Sequence, residues 1–119
     1  MKYTDTQRIK KILEYPETLM QYAKSSGITR EQVENDRIVQ WTITTPLYNI
    51  GEHAYSMTKE FKENTPQVQW NLISGLRHRL VHDYDGTNWK IIWDIINIEI
   101  PELVEQIKKI QENLKNDEK

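Results

Sequence analysis

Residues 75–89 read "GLRHRLVHDYDGTNW", and between Arg77 and Asp85 they gather two arginines, two histidines, two aspartates and a tyrosine. These residue types suit chemistry at a phosphate. Histidine exists in both protonation states near neutrality, so it can take up or give a proton. Arginine stays charged, and its planar fork can bind two oxygens at once. The whole chain carries a formal charge of −2, so bulk electrostatics do not draw it to nucleic acid. Attraction to RNA has to be local, in a patch such as Arg77, His78, Arg79 and Lys90.

The elements that must position this cluster read as helices. The 119 residues suit one domain, assigned to 1–115, with 116–119 as a frayed charged tail. Four glycines and four prolines argue against a loop-rich β protein. The lack of cysteine removes disulfides and thiolate metal sites. The start "MKYTDTQRIK" lacks the apolar run of a signal peptide, and no stretch approaches the length of a membrane span, so a cytoplasmic location without membrane attachment is expected.

Ile9, Ile12, Leu13, Pro16, Leu19, Met20 and Ala23 mark an amphipathic helix over 5–23, with a bend expected at Pro16. Thr29 and Gln32 form a capping-box pattern. A long helix is predicted from about Arg30 to Phe61, kinked at Pro46. Thr65 reads as an N-cap with Pro66 at the first helical position. That third helix carries Val68, Ile73, Leu76 and Leu80 and ends near His82. Asn88 can cap a fourth helix, "WKIIWDIINIEI", and Pro101 starts or kinks a last one. The β-branched stretch 91–100 could form a strand, but a lone strand has nothing to pair with. The expected fold class is all-α, an antiparallel bundle of four to five helices.

The spacing Arg77-x4-His82-x-Tyr84 resembles the Arg-x4-His-x-Tyr motif of HepT-like toxins in the HEPN superfamily. "NIGEHA" (49–54), "PQVQW" (66–70), "IIWDII" (91–96) and "IPELVEQI" (100–107) resemble that family in the same order. The polar residue that typically follows the arginine in this superfamily corresponds to His78. The resemblance implies a HEPN-like bundle, a homodimer, and metal-independent cleavage of RNA in a type II toxin–antitoxin system, with no cofactor. It also implies a partner, a minimal nucleotidyltransferase antitoxin that adenylylates the motif tyrosine and silences the nuclease. Carried over by position, Arg77 and His82 become catalytic and Tyr84 the modified residue.

The residues add conditions of their own. On an ideal helix, positions five apart are separated by about 140°. Arg77 and His82 then share no face, and one chain offers one motif histidine where transesterification wants a base and an acid. Two copies across a two-fold axis supply both. Attack by the 2′-hydroxyl implies a 2′,3′-cyclic phosphate product, from tRNA or mRNA. His78 and Glu52 are candidate supporting residues, Glu52 by orienting a motif arginine. Gly51, inside a helix, points to close packing. Arg79 is read as facing solvent or a partner acid, and Asp83 as a turn former. His78 and His82 could share a helix face, but they lack a third ligand, so no metal site is assigned. Trp70, Trp89 and Trp93 are assigned to core or dimer packing rather than base stacking. The alternative function is a non-catalytic nucleotide- or substrate-binding module that partners a nucleotidyltransferase. A third reading is a plain dimeric scaffold.

Overall fold

The computed structural model describes residues 3–82 and 86–117, with side chains described for all of these except residues 81, 82, 116 and 117. Every element among the described residues is helical: α1 (Asp5–Ser26), α2 (Arg30–Asn35), α3 (Arg37–Tyr55), α4 (Lys59–Asn64), α5 (Trp70–His82), α6 (Trp89–Asp94), a π-helical turn (Ile95–Glu99) and α7 (Ile100–Asp117). The long elements α1, α3, α5 and the continuous α6–π–α7 rod make a four-rod bundle, with α2 and α4 as short connectors. Helix α3 lies at its centre, packed on both α1 and α5, while α1 also packs on α7 and α2 on α6.

Local signals explain most boundaries. Thr4 and Gln7 close a capping box at the start of α1. Gly27, at φ 59°, ends α1 in the left-handed region that glycine tolerates. Thr29 and Gln32 close a second capping box on α2, and Asn88 Oδ1 accepts from the Ile91 N–H at the start of α6. The stripe Val39, Ile43, Leu47, Ile50 and Ala54 is buried and turns α3 inward. It meets Ile9, Ile12 and Leu19 of α1, Ile73, Leu76 and Leu80 of α5, and Ile100, Leu103 and Ile107 of α7 in one core. Pro16 and Pro46 both sit inside helices that continue past them.

Two expected boundaries are corrected. The helix predicted over 30–61 is three helices. Asp36 accepts from the Ile38 and Val39 N–H groups at 2.9 and 3.2 Å and so starts α3 afresh. Gln40 Nε2 closes the end of α2 by donating to the carbonyls of Val33 and Glu34. Thr58 then caps α4 and is itself clamped by Asp5, which accepts from both its N–H and its hydroxyl. Thr65 and Pro66 do not open a helix. The Thr65 hydroxyl donates to the Phe61 carbonyl and accepts from the Trp70 indole, so it finishes α4 and ties down the loop, and α5 starts only at Trp70.

The stretch 91–100 is helical, with a π-type bond from the Ile100 N–H to the Ile95 carbonyl. Pro101, one residue on, has no N–H to give the Asn97 carbonyl, and its ring would crowd that carbonyl in a regular α turn. A widened turn immediately before the proline accommodates both constraints.

His53 is buried on the α1 side of α3. Arg8 Nη1 donates to its Nδ1 at 3.2 Å, Tyr3 meets the ring edge-on and Tyr15 stacks on it. A ring that accepts at Nδ1 is neutral, with its proton on Nε2. Burial lowers the His53 pKa below 6.5, and the charges of Arg8 and then Lys11 lower it further against a smaller opposing effect of Glu52. In the unfolded chain the same imidazole takes a proton near pH 6.5. The folded state therefore binds fewer protons as pH falls below about 6.5, and stability declines toward the lowered folded pKa. Thermal unfolding from about pH 7.5 down to about pH 5 should show a steeper fall in midpoint for the wild type than for His53→Gln, whose amide does not titrate. Parallel slopes would show that His53 contributes nothing to the pH dependence.

Candidate functional site

Arg77 lies midway along α5 on the side that faces α3, and the two helices approach there as closely as backbones allow. A Cβ built on Gly51 would sit 2.6 Å from the Arg77 backbone nitrogen and 3.0 Å from the Arg77 Cβ. Contacts under 3 Å to backbone cannot be relieved by turning a side chain. Glycine at 51 thus sets the distance between the helices. The absent methyl brings Arg77 within reach of the two residues of α3 that point outward beside it. Glu52, about 100° around the helix, accepts from Arg77 Nε at 2.5 Å. Tyr55, one turn on, places its ring 4.1 Å from the Arg77 Cζ. That distance is well inside cation–π range.

The guanidinium is thus held by one edge and one face. Nε is taken by the carboxylate and Cζ lies over the tyrosine ring. Among the described residues, neither Nη1 nor Nη2 is paired. Arg77 and Glu52 are each somewhat over one-third exposed, at 36% and 39%. An ion pair as exposed as this contributes little to stability. What it does is restrict direction: Nε is held, and a guanidinium's two Nη groups have the geometry suited to two phosphate oxygens.

The other candidate residues fall around this point. His78 and Arg79 are exposed on α5, and Thr87 donates its hydroxyl to the Arg79 carbonyl. His82 is the last residue of α5, so the helix runs unbroken from Arg77 to His82 and leaves the two positions about 140° apart. The His82 side chain lies outside the described residues, as do Asp83 and Tyr84. Lys90 is exposed in the first turn of α6. Of the tryptophans, Trp70 is buried, while Trp89 and Trp93 are partly buried against the core. Among the described residues, no group of three His, Asp or Glu side chains is arranged to hold a metal ion. No helix among them is long and apolar enough to cross a membrane.

Two features escape a reading of the sequence. Tyr55 belongs to the site, although nothing in its neighbourhood in sequence marks it. Its signal is its place one turn after Gly51, which only the α3–α5 contact makes meaningful. The second is the outer face of α3. Ile38, Trp41, Thr45, Tyr48, Glu52 and Tyr55 recur at alternating three- and four-residue spacing on that side. Ile38, Trp41 and Tyr55 are more than half exposed, at 65%, 53% and 58%. Such spacing is that of a seam between two helices.

Comparison with known proteins places the chain in a family. The model of the family described as "Ribonuclease HepT-like" matches residues 6–110. A protein of Caldanaerobacter subterraneus subsp. tengcongensis named "Putative RNase TTE0752" is 39% identical over 99 residues, covering 83% of this chain and 87% of that protein. A Methanocaldococcus jannaschii protein named "Putative RNase MJ1216" is 27% identical over 99 residues, covering 83% and 80%. "Probable ribonuclease HepT" of Thermococcus cleftensis is 26% identical over 76 residues, covering 64% and 69%. No solved structure matches the chain.

The α3–α5 contact yields a direct test. Alanine is a better helix former than glycine by about 1 kcal/mol, yet at 51 its methyl meets backbone. Gly51→Ala should lose about 1–3 kcal/mol in urea denaturation, overpacking outweighing propensity. Gly75 provides the control, since a Cβ there meets nothing within 4 Å. Gly75→Ala should be neutral or stabilising by up to about 1 kcal/mol.

Proposed function

This chain belongs to the HepT-like ribonuclease family, and from that membership together with the setting of Arg77 we propose that it is an endoribonuclease toxin whose active site is completed by a second copy of the chain. The observation that carries the reading is Arg77 on the helix that includes His82, its guanidinium held through Nε by Glu52 and neither Nη group paired among the described residues. A guanidinium held this way is ready for a phosphate before the substrate arrives, and such preorganisation is what transition-state stabilisation requires.

In the proposed reaction, His82 of one protomer takes the proton of a ribose 2′-hydroxyl. The freed oxygen attacks the adjacent phosphorus, and Arg77 stabilises the charge on the five-coordinate phosphorus. The 5′-oxygen leaves with a proton from the second protomer's histidine. The products are a 2′,3′-cyclic phosphate and a 5′-hydroxyl end, and no metal takes part in the proposed steps. The helical phase of about 140° between positions 77 and 82 supports the two-fold arrangement, because one helix does not offer both groups on one face. The seam of Ile38, Trp41 and Tyr48 on α3, exposed at Ile38 and Trp41 and partly buried at Tyr48, leads directly into Glu52 and is the surface we assign to the dimer.

Silencing falls to Tyr84. A minimal nucleotidyltransferase partner would join the Tyr84 hydroxyl oxygen to the α-phosphorus of ATP, with pyrophosphate leaving and the phenolic proton passing to solvent. The attached AMP adds bulk and negative charge two residues past His82 in sequence and so opposes a substrate phosphate. The RNA substrate is taken to be tRNA or mRNA, and the place of action the cytoplasm.

Expression of the wild type should arrest growth and leave cleaved RNA with cyclic phosphate ends, while Arg77→Ala and His82→Ala should do neither. Equal growth in all three would leave a module that holds phosphate without cutting it. Tyr84→Phe should keep the arrest in the presence of the transferase and ATP, and full neutralisation of that variant would rule out modification at Tyr84. Trp41→Glu should give a monomer by sedimentation and lose RNA cleavage with its helical circular dichroism intact. A monomer that still cuts at high dilution would show that the site is complete in one chain.

A further inference from the structure

Tyr55 is the last residue of α3, and its position is fixed from several sides. Lys62 Nζ donates to its backbone carbonyl at 3.3 Å, which ties the end of α3 to α4. Met57, two residues on, is buried, so the chain that follows is anchored in the core. The tyrosine ring itself is spent on no core contact: the residue is 58% exposed, and one face of the ring lies against the Arg77 guanidinium. A large aromatic ring left this open on a small domain needs a reason, and the cation above it supplies one.

We propose that Tyr55 is a positioning residue for phosphate capture, acting through the plane of Arg77; the proposal rests on the ribonuclease reading above. Glu52 alone does not define that plane. An ion pair made through Nε is a hinge: the guanidinium can swing about it and carry the Nη groups through a wide arc. Contact with the flat face of a ring removes that freedom, because the quadrupole attraction is strongest with the cation over the ring face. The two contacts are also arranged so as not to compete with a ligand. Glu52 uses Nε and Tyr55 meets Cζ, while among the described residues neither Nη group is paired, which leaves both for the two oxygens of a phosphodiester. The carboxylate has a cost, since its negative charge opposes an incoming phosphate. An uncharged ring carries no such cost, so it is the element that orders the fork without weakening its pull.

The ring, rather than the hydroxyl, does this work. Tyr55→Phe should therefore behave as wild type, and Tyr55→Leu should not. The probe is a short single-stranded RNA of mixed sequence, 2′-O-methylated throughout so that it binds without being cut. Its affinity is measured for wild type, Tyr55→Phe, Tyr55→Leu, Arg77→Ala and the double variant Arg77→Ala/Tyr55→Leu. Tyr55→Leu should weaken binding about two- to fivefold, as expected for loss of one exposed cation–π contact. The same change in the Arg77→Ala background should have no effect. In proton–nitrogen NMR, the Arg77 Nε–Hε resonance of wild type and Tyr55→Phe should carry a ring-current displacement that Tyr55→Leu lacks.

An equal loss on Tyr55→Leu in both backgrounds would show that the ring meets RNA itself or acts through the dimer, and would overturn the proposal. So would an Nε–Hε resonance indifferent to Tyr55→Leu, a Tyr55→Phe variant as weak as Tyr55→Leu, or no measurable binding by wild type. The ribonuclease reading fails separately. Wild-type protein that binds the methylated RNA with the expected pattern but leaves the unmodified RNA of the same sequence intact would refute cleavage and keep the role of Tyr55.

Discussion

The structure turns on one close contact, the passage of Arg77 over Gly51. Two helices whose axes are held apart by a β-carbon would leave the arginine's stem too far from α3 for Glu52 and Tyr55 to meet its head. With glycine at 51, the backbone nitrogen of Arg77 comes to within 2.6 Å of where that carbon would be. The cost is the poorer helix propensity of glycine, about 1 kcal/mol. What it brings in return is not mainly stability. The Glu52–Arg77 pair is too exposed to contribute much more than about 0–1 kcal/mol, and the open ring of Tyr55 adds little to the core. The gain is an arginine whose direction is settled before any ligand is present.

Direction matters here because the protein has little bulk charge to work with. A chain with a formal charge of −2 does not gather polyanions at long range. Binding must rest on a few cations placed well. Arg77 is the one that the fold holds in place, and Glu52 offsets part of its charge. A carboxylate would be a poor choice if the task were only to attract. It is a sound one if the task is to hold a fork still, since cations crowded together repel and otherwise scatter their side chains into solvent.

Much of this could be read from residue order. The glycine inside a helix signalled close packing, and the glutamate beside it stood out as a possible partner for the motif arginine. The Asn88 cap of α6 follows from local chemistry. The divisions of the chain between 30 and 61 were harder, for a reason visible in the buried residues. Ala54, Met57 and Phe61 keep the three- and four-residue rhythm across the Ser56–Thr58 break, so the apolar pattern runs on where the backbone does not. The earlier break does leave a trace. Val33 and Val39 are six apart and out of phase, with Asp36, a strong capping residue, between them. Thr65 misleads in the opposite sense, because its hydroxyl is claimed by Phe61 and by the Trp70 indole rather than by a helix of its own. Tyr55 could not be found from one chain's order at all. Its role exists only once α5 is laid against α3.

Helix α3 also shows why an arginine on a tyrosine is not in itself a functional site. Two arginines, each over a tyrosine ring, meet neighbouring residues of this helix, His53 and Glu52. Arg8 lies 5.4 Å from the Tyr3 ring centroid and donates through Nη1 to His53, while Arg77 lies 4.1 Å from that of Tyr55 and donates through Nε to Glu52. The first spends an Nη group on a buried neutral ring between α1 and α3 and so belongs to the packing of those helices. The second spends the one nitrogen on the stem side of the fork and leaves the outer pair unpaired among the described residues. Both use the same residue types, and helical rotation alone separates them: positions 52 and 53 differ by about 100°. One turns its arginine into a strut and the other holds its arginine out as a hand.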